Sequence, residues 1–279
     1  MIYGIDLSKH NGKVDFNQVK KAGVKFVILR CGYASLSNRT NLYKDEKFEE
    51  YYKGAKAAGL GVGTYFYSRC NSDATGLAEA KYIYSLIKDK QFDYPVWLDV
   101  EDLNTFKSTT KEKMTSAIIT CLEYLEKQKI YCGIYTGKYF LRDYMVESKL
   151  KPYDKWIAQW GTKCTYEGGF GMWQFGGETN KLKPVKVAGV SSACCDQNYA
   201  YIDYPTVIKK AGLNGYNTTG TKVQKYTTTD NLNVRSGRGT KFKILTTLKK
   251  GTSVEVSAVE DNWGYVRQYN GYICMDYVK

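Results

Sequence analysis

Asp99 and Glu101 stand two residues apart in the stretch Tyr94-Pro95-Val96-Trp97-Leu98-Asp99-Val100-Glu101-Asp102. Pro95 can open a strand but not sit inside a central one, and residues 96–100 have strand length, so the strand runs toward the acids. Side chains alternate faces along a strand. Asp99 and Glu101 therefore share a face, with Cβ atoms roughly 6 to 7 Å apart at about 3.3 Å rise per residue, and Val100 points the other way. Two carboxyls at the mouth of a pocket are what glycosidic bond cleavage needs, one protonated to protonate the leaving oxygen and one ionised to support developing positive charge. An apolar neighbour such as Trp97 favours the protonated form of one of them. An isolated D-x-E is more often a strand that ends in solvated acids, so the assignment depends on what the rest of the chain brings to the same place.

Composition narrows the alternatives. His10 is the only histidine in 279 residues, which argues against zinc amidases and metallopeptidases, whose metal usually takes two or more imidazoles. A Cys-His peptidase would have to use His10, beside the Asn11-Gly12 turn. No metal or cofactor is expected, and carboxylate chemistry is favoured by elimination. The eight cysteines are irregularly spaced, so reduced thiols are expected. The net charge of +13 is spread over both sides of residue 222. Basic charge suits nucleic acid, an anionic membrane or an anionic wall polymer, but the lysines are scattered through helical segments as on a solvated surface. No apolar run approaches the roughly 20 residues of a membrane span, and the first residues carry no signal-peptide pattern.

The elements that must position the acids alternate. Strands are expected over residues 2–6, 25–33, 60–67, 96–100, 130–135, 155–160, 171–175 and 193–198. Helices are expected over 15–22, 43–58, 73–90, 110–128, 138–144 and 204–211. This order predicts an α/β fold, a parallel sheet closed into an irregular (β/α)8-type barrel, with the last three strands poor in helices. Chemistry in such barrels sits at the C-terminal ends of the strands. Reading only those ends gathers Asp6, Tyr65, Tyr67, Asp99, Glu101, Tyr135, Trp160, Gln174 and Asp196. Acids ringed by aromatics suit a sugar, whose ring faces stack on Tyr and Trp while its hydroxyls and amides bond to carboxylate and Gln.

Three motifs, Tyr3-Gly4-Ile5-Asp6-Leu7-Ser8, Trp97-Leu98-Asp99-Val100-Glu101 and Cys195-Asp196-Gln197-Asn198, give residues 1–212 a resemblance to the lysozymes of glycoside hydrolase family 25. The resemblance implies an N-acetylmuramidase that cuts the β-1,4 bond between N-acetylmuramic acid and N-acetylglucosamine. It also implies Glu101 as general acid and then base, Asp99 as the group that orients the substrate N-acetyl, and Asp6 and Asp196 as setting protonation and position. Tyr65, Tyr67, Tyr135, Trp160 and Gln174 are the expected substrate contacts. Spacing leaves retention and inversion open. The resemblance favours retention through the substrate's own N-acetyl oxygen.

Residues 213–222 are rich in Gly, Asn and Thr and read as a linker. After them the period changes to short strands over 223–226, 232–235, 243–248, 253–259, 263–268 and 272–274, a small all-β barrel. Leu232-Asn233-Val234-Arg235-Ser236-Gly237, Lys250-Gly251-Thr252 and Asn262-Trp263-Gly264-Tyr265-Val266 resemble the bacterial SH3-like fold, which implies wall binding over residues 223–279. The expected whole is a modular endolysin made in the host cytoplasm, dependent on a separate pore protein to reach the wall. Its expected partner is bacterial peptidoglycan, with no nucleic acid and no stable membrane insertion. A bacterial autolysin of the same chemistry, an enzyme for another N-acetylated polymer and a non-catalytic peptidoglycan-binding protein are the alternatives. The presence of both Asp99 and Glu101 argues against the last.

Overall fold

Alternation along the strands sorts the residues of the first part into two layers. Ile5, Leu7, Val27, Leu29, Val96, Leu98 and Val100 pack outward with helix residues such as Val19, Ile83 and Ile118. Phe26, Ile28, Trp97, Tyr135, Trp156 and Met172 pack inward on one another. A sheet whose two faces are both covered in this way must be enclosed by helices on one side and by itself on the other. The computed structural model describes residues 1–176, 186–216 and 223–279.

The strands are β1 (Ile2–Leu7), β2 (Phe26–Ala34), β3 (Leu42–Lys44), β4 (Gly61–Tyr67), β5 (Val96–Asp99), β6 (Cys132–Gly137), β7 (Asp154–Ala158), β8 (Met172–Gly176) and β9 (Asp196–Ala200). They form one sheet in the order β1-β9-β8-β7-β6-β5-β4-β2-β3, and the pairing of β1 with β2 closes it. The closed barrel thus has the expected eight staves, with β3 as an extra strand on β2. Helices α1 (Phe16–Lys21), α2 (Phe48–Ala57), α3 (Asp73–Ile87), α4 (Leu103–Lys107), α5 (Lys111–Lys127), α6 (Lys138–Tyr144) and α7 (Tyr204–Lys210) wrap it. Short polar side chains start several of them: Asp15 accepts from Asn17 N and Gln18 N, Ser72 from Thr75 N, and Thr110 from Lys113 N.

Two elements of the large barrel differ from the expected ones. The helix expected over 43–58 begins only at Phe48; Tyr43 and Lys44 belong to β3, antiparallel to β2, with the Tyr33 and Tyr43 rings 5.6 Å apart across the pair. Aromatic cross-strand packing outweighs the helical spacing there. The eighth stave, β9, is antiparallel to both β1 and β8. Asp196 is therefore the first residue of its strand, not near the last, and the reversed direction is what carries it to the mouth.

The second part has strands β10 (Gln224–Thr227), β11 (Leu232–Arg235), β12 (Ile244–Leu248), β13 (Ser253–Glu260), β14 (Trp263–Val266) and β15 (Gly271–Cys274), in the order β10-β13-β14-β15-β11-β12. Every pairing is antiparallel, around a core of Leu232, Val234, Leu248, Val254, Val256, Val266 and Ile273.

This small barrel docks on the base of the large one. Tyr265 is buried in the cluster that holds Tyr131, Tyr204 and Val207, and both Tyr265 OH and Tyr131 OH donate to Asn270 Oδ1, at 2.8 and 2.7 Å. Tyr131 precedes β6 and Asp154 opens β7, so the contact lies at the N-terminal ends of the strands. The linker read over residues 213–222 changes accordingly. Residues 217–222 lie outside the described residues, but Leu213 and Asn214 are buried. Asn214 donates from Nδ2 to Tyr94 O at 3.0 Å and accepts at Oδ1 from Tyr131 N at 2.7 Å. A residue so bonded belongs to the barrel base; its φ of 54° is one that Asn tolerates.

Candidate active site

Every parallel stave ends on the same side, and there the inward-facing positions leave a cavity of about 270 Å³. Asp6, Asp99, Glu101 and Asp196 line it together with Arg30, Tyr65, Tyr67, Tyr135, Trp156 and Gln174. Asp6 and Asp196 are register partners across the β1–β9 pair. Asp99 closes β5, and Glu101 follows two residues later, on the inward side that Trp97 and Asp99 occupy.

Amides fix the first of these acids. Asp6 Oδ2 accepts from Asn198 Nδ2 at 2.9 Å and from Gln174 Nε2 at 3.1 Å. Gln174 Oε1 in turn accepts from Tyr135 OH and Trp160 Nε1, both at 2.9 Å. Gln174 thus links Tyr135 and Trp160 to Asp6 while it lines the cavity. Trp156 Nε1 donates to Asn198 Oδ1 at 2.9 Å, which orients the other amide. Asp99 differs from Asp6: its Oδ1 is buried and, among the described residues, has no hydrogen-bond partner.

Burial governs the protonation of the ring. Loss of water pushes Glu101 up to about 7, the charge of Asp196 adds to this, and the Tyr135 hydroxyl offsets part of it. Asp6 is raised to about 6, again by burial first, against the pull of the Asn198 and Gln174 amides. Burial also holds Asp99 well above the ordinary carboxylate range, with Glu101 and Asp6 adding to it and Arg30 and Arg69 opposing. Tyr65 and Tyr135 are kept protonated by burial and remain donors. Crowded acids of this kind share fewer charges than carboxyls, so one can be a proton donor near neutral pH while a neighbour is ionised.

Eight of the nine residues gathered from strand ends line the cavity; Trp160 does not. β7 ends at Ala158, two residues before it, so Trp160 sits partly exposed beyond the strand and reaches the site through Gln174. Trp156, inside β7, supplies the indole that lines the cavity. Sequence reasoning also missed Arg30 and placed His10 only in a turn. Arg30 follows the apolar run Phe26-Val27-Ile28-Leu29 as Asp99 follows its own, and the same reasoning applied to that strand would have found it. His10 lies in a short 3-10 turn (Lys9–Asn11) capped by Ser8, at the cavity wall.

The model of the glycosyl hydrolases family 25 matches residues 5–182, and that of the bacterial SH3 domain matches residues 230–274. The chain is 30% identical over 158 residues to an autolytic lysozyme of Clostridium acetobutylicum, a stretch that is 57% of this chain and 45% of that protein. It is 36% identical over 84 residues to lysozyme M1 of Streptomyces globisporus, 30% of this chain and 26% of that one. The matched stretches thus span less than half the length of either curated relative. A bacterial lysozyme from Streptomyces coelicolor superposes with a TM-score of 0.62 at 25% identity, covering 77% of this chain and 97% of that one. The spore cortex lytic enzyme SleM of Clostridium perfringens shares the fold over 97% of this chain and 94% of its own, with a TM-score of 0.63 at 17% identity. A family model that covers most of the barrel, and with it Asp6, Asp99 and Glu101, decides the matter: the chain belongs to the glycosyl hydrolases family 25.

Proposed function

We propose that the protein is a lysozyme, an N-acetylmuramidase that hydrolyses the β-1,4 bond between N-acetylmuramic acid and N-acetylglucosamine in bacterial peptidoglycan. The observation that carries this reading is that Glu101 and Asp99 face one cavity at the end of β5, where burial pushes the Glu101 carboxyl up to about 7 and Asp99 Oδ1 is buried with no hydrogen-bond partner among the described residues. Glu101 then donates its proton to the leaving oxygen and afterwards takes one from water. Asp99 Oδ1 accepts the acetamide N–H of the bound sugar, a hydrogen bond that no described residue gives it, and so turns the acetyl oxygen toward the anomeric carbon. Asp6 and Asp196 set the charge of the ring and the position of water or substrate. Tyr65, Tyr67, Tyr135 and Trp156 form the aromatic and hydroxyl wall against which sugar rings lie.

The same reading extends to setting. The SH3-like part binds wall, the enzyme acts as an endolysin in host-cell lysis, and it is made in the cytoplasm and reaches its substrate through a separate pore protein. Purified peptidoglycan incubated with the full chain should yield new reducing muramic ends and no new free amino groups. Free amino groups without reducing ends would mean a peptidase or amidase and would refute the proposal, as would reducing ends of glucosamine alone.

A further inference from the structure

Arg30 is the one arginine or lysine among the described residues that line the cavity, in the company of four acids. It extends from the inward face of β2, in register with Tyr65 of β4. Its guanidinium is immobilised from behind. Nε donates to Asp45 Oδ2 at 2.7 Å, Asp45 is buried and also accepts from Lys9 N at 3.1 Å and Lys47 N at 2.9 Å, and Cζ lies 5.2 Å from the Tyr33 ring centre. Elsewhere on the guanidinium, Nη2 is buried and has no hydrogen-bond partner among the described residues. A fixed planar donor with an unused N–H is built to take an oxygen from something that enters the cavity.

The muramidase reading, on which this inference rests, says which oxygen. A muramic ring differs from a glucosamine ring by a lactyl ether on O3 that ends in a carboxyl, ionised on bare glycan and an amide where a stem peptide is attached. The ionised members of the acid ring repel such a carboxylate, and among the described cavity residues only Arg30 offers it a lysine or arginine charge. We propose that Arg30 is a specificity-determining residue that donates to the lactyl carboxyl oxygen of the muramic unit and so separates wall glycan from a plain N-acetylglucosamine polymer.

The test pairs a change in the enzyme with a change in the substrate. One purified wall supplies two glycans, the first stripped of stem peptides to leave free lactyl carboxylates, the second the same material with those carboxylates chemically reduced to alcohols. On the stripped glycan Arg30→Gln in the full chain should lose about 10- to 100-fold in kcat/KM, mostly through KM, as for a charge-assisted hydrogen bond. On the reduced glycan the loss should be at least about tenfold smaller, because the contact to the carboxyl is already gone there and any loss through Asp45 or Asp99 is common to both glycans. Equal losses on both glycans would mean that Arg30 acts through the fold or through the charge of Asp99, and would overturn the proposal; so would no loss on either. Should Arg30→Gln fail to fold, Arg30→Lys carries the same comparison, since it keeps the charge and loses the planar fork. If the unaltered chain releases no reducing muramic ends from either glycan, the muramidase reading itself falls, and this inference with it.

Discussion

The two ends of the barrel both bury carboxylates among tyrosines, yet they are finished differently. At the base, Asp154 accepts from Tyr204 OH at 2.6 Å and from Lys155 N at 2.7 Å, and the Tyr131 hydroxyl that donates to Asn270 lies 3.4 Å away. Tyr265 of the small barrel packs over this group, and the cavity beside it is about 20 Å³. At the mouth, Asp99 Oδ1 and Arg30 Nη2 are buried without hydrogen-bond partners among the described residues, four acids line one cavity, and its volume is about 270 Å³. A satisfied polar network stabilises and specifies a fold, whereas buried groups left short of partners cost stability and persist where they serve a ligand. The base is structure and the mouth is site, and the difference lies in hydrogen bonds, not in residue type.

Substitutions at the two ends should separate activity from stability. The largest effect belongs to Glu101→Gln, which should lower release of reducing ends from wall by about 10² to 10⁴-fold while binding to wall is retained in a pelleting assay. A loss below tenfold would mean that another group supplies the proton. At the base, Tyr265→Ala should cost about 3 to 5 kcal/mol in denaturant unfolding, as for other large aromatic truncations, with kcat/KM at 25 °C changed by less than about twofold. If activity fell while stability held, the division between the ends would be wrong.

A smaller effect comes from the site's own strain. Glu101 is raised to about 7 in the folded chain from an ordinary 4.5, so between those values the folded state keeps a proton that the unfolded chain releases. Its contribution to stability is therefore lost as pH rises from about 4.5 to about 7 and stays lost above. Glu101→Gln removes that dependence. It should be about 1 to 2 kcal/mol more stable than the unaltered chain at pH 8 and no more stable at pH 4, measured by urea unfolding. Equal stability at both values would show that Glu101 is not strained.

Most of this was legible from strand ends alone, because alternation and apolar runs are local signals. Asp6, Asp99 and Glu101 come to the mouth through the direction of strands whose polarity follows from the alternating β and α order. What was not legible depends on the tertiary partner. The reversal of β9 follows from pairing with β1 and β8 after segments that lack helices, and no local pattern states it. The Tyr33–Tyr43 pair overrides a helical spacing only once β2 and β3 meet. Asn214 looks like linker composition until Tyr94 and Tyr131 bond to it. Trp160 and Trp156 lie four residues apart, and only the end of β7 at Ala158 decides which one lines the cavity.

Acid catalysis by Glu101 requires that the crowded mouth hold a proton near neutrality. Carbon-13 labelling of the glutamate side chains, with Glu101 assigned through Glu101→Gln, gives its titration directly by NMR in the full chain. A midpoint near 7 is the expected result. A midpoint near 4.5, that of a solvated glutamate, would contradict it and leave Glu101 without the proton its role requires.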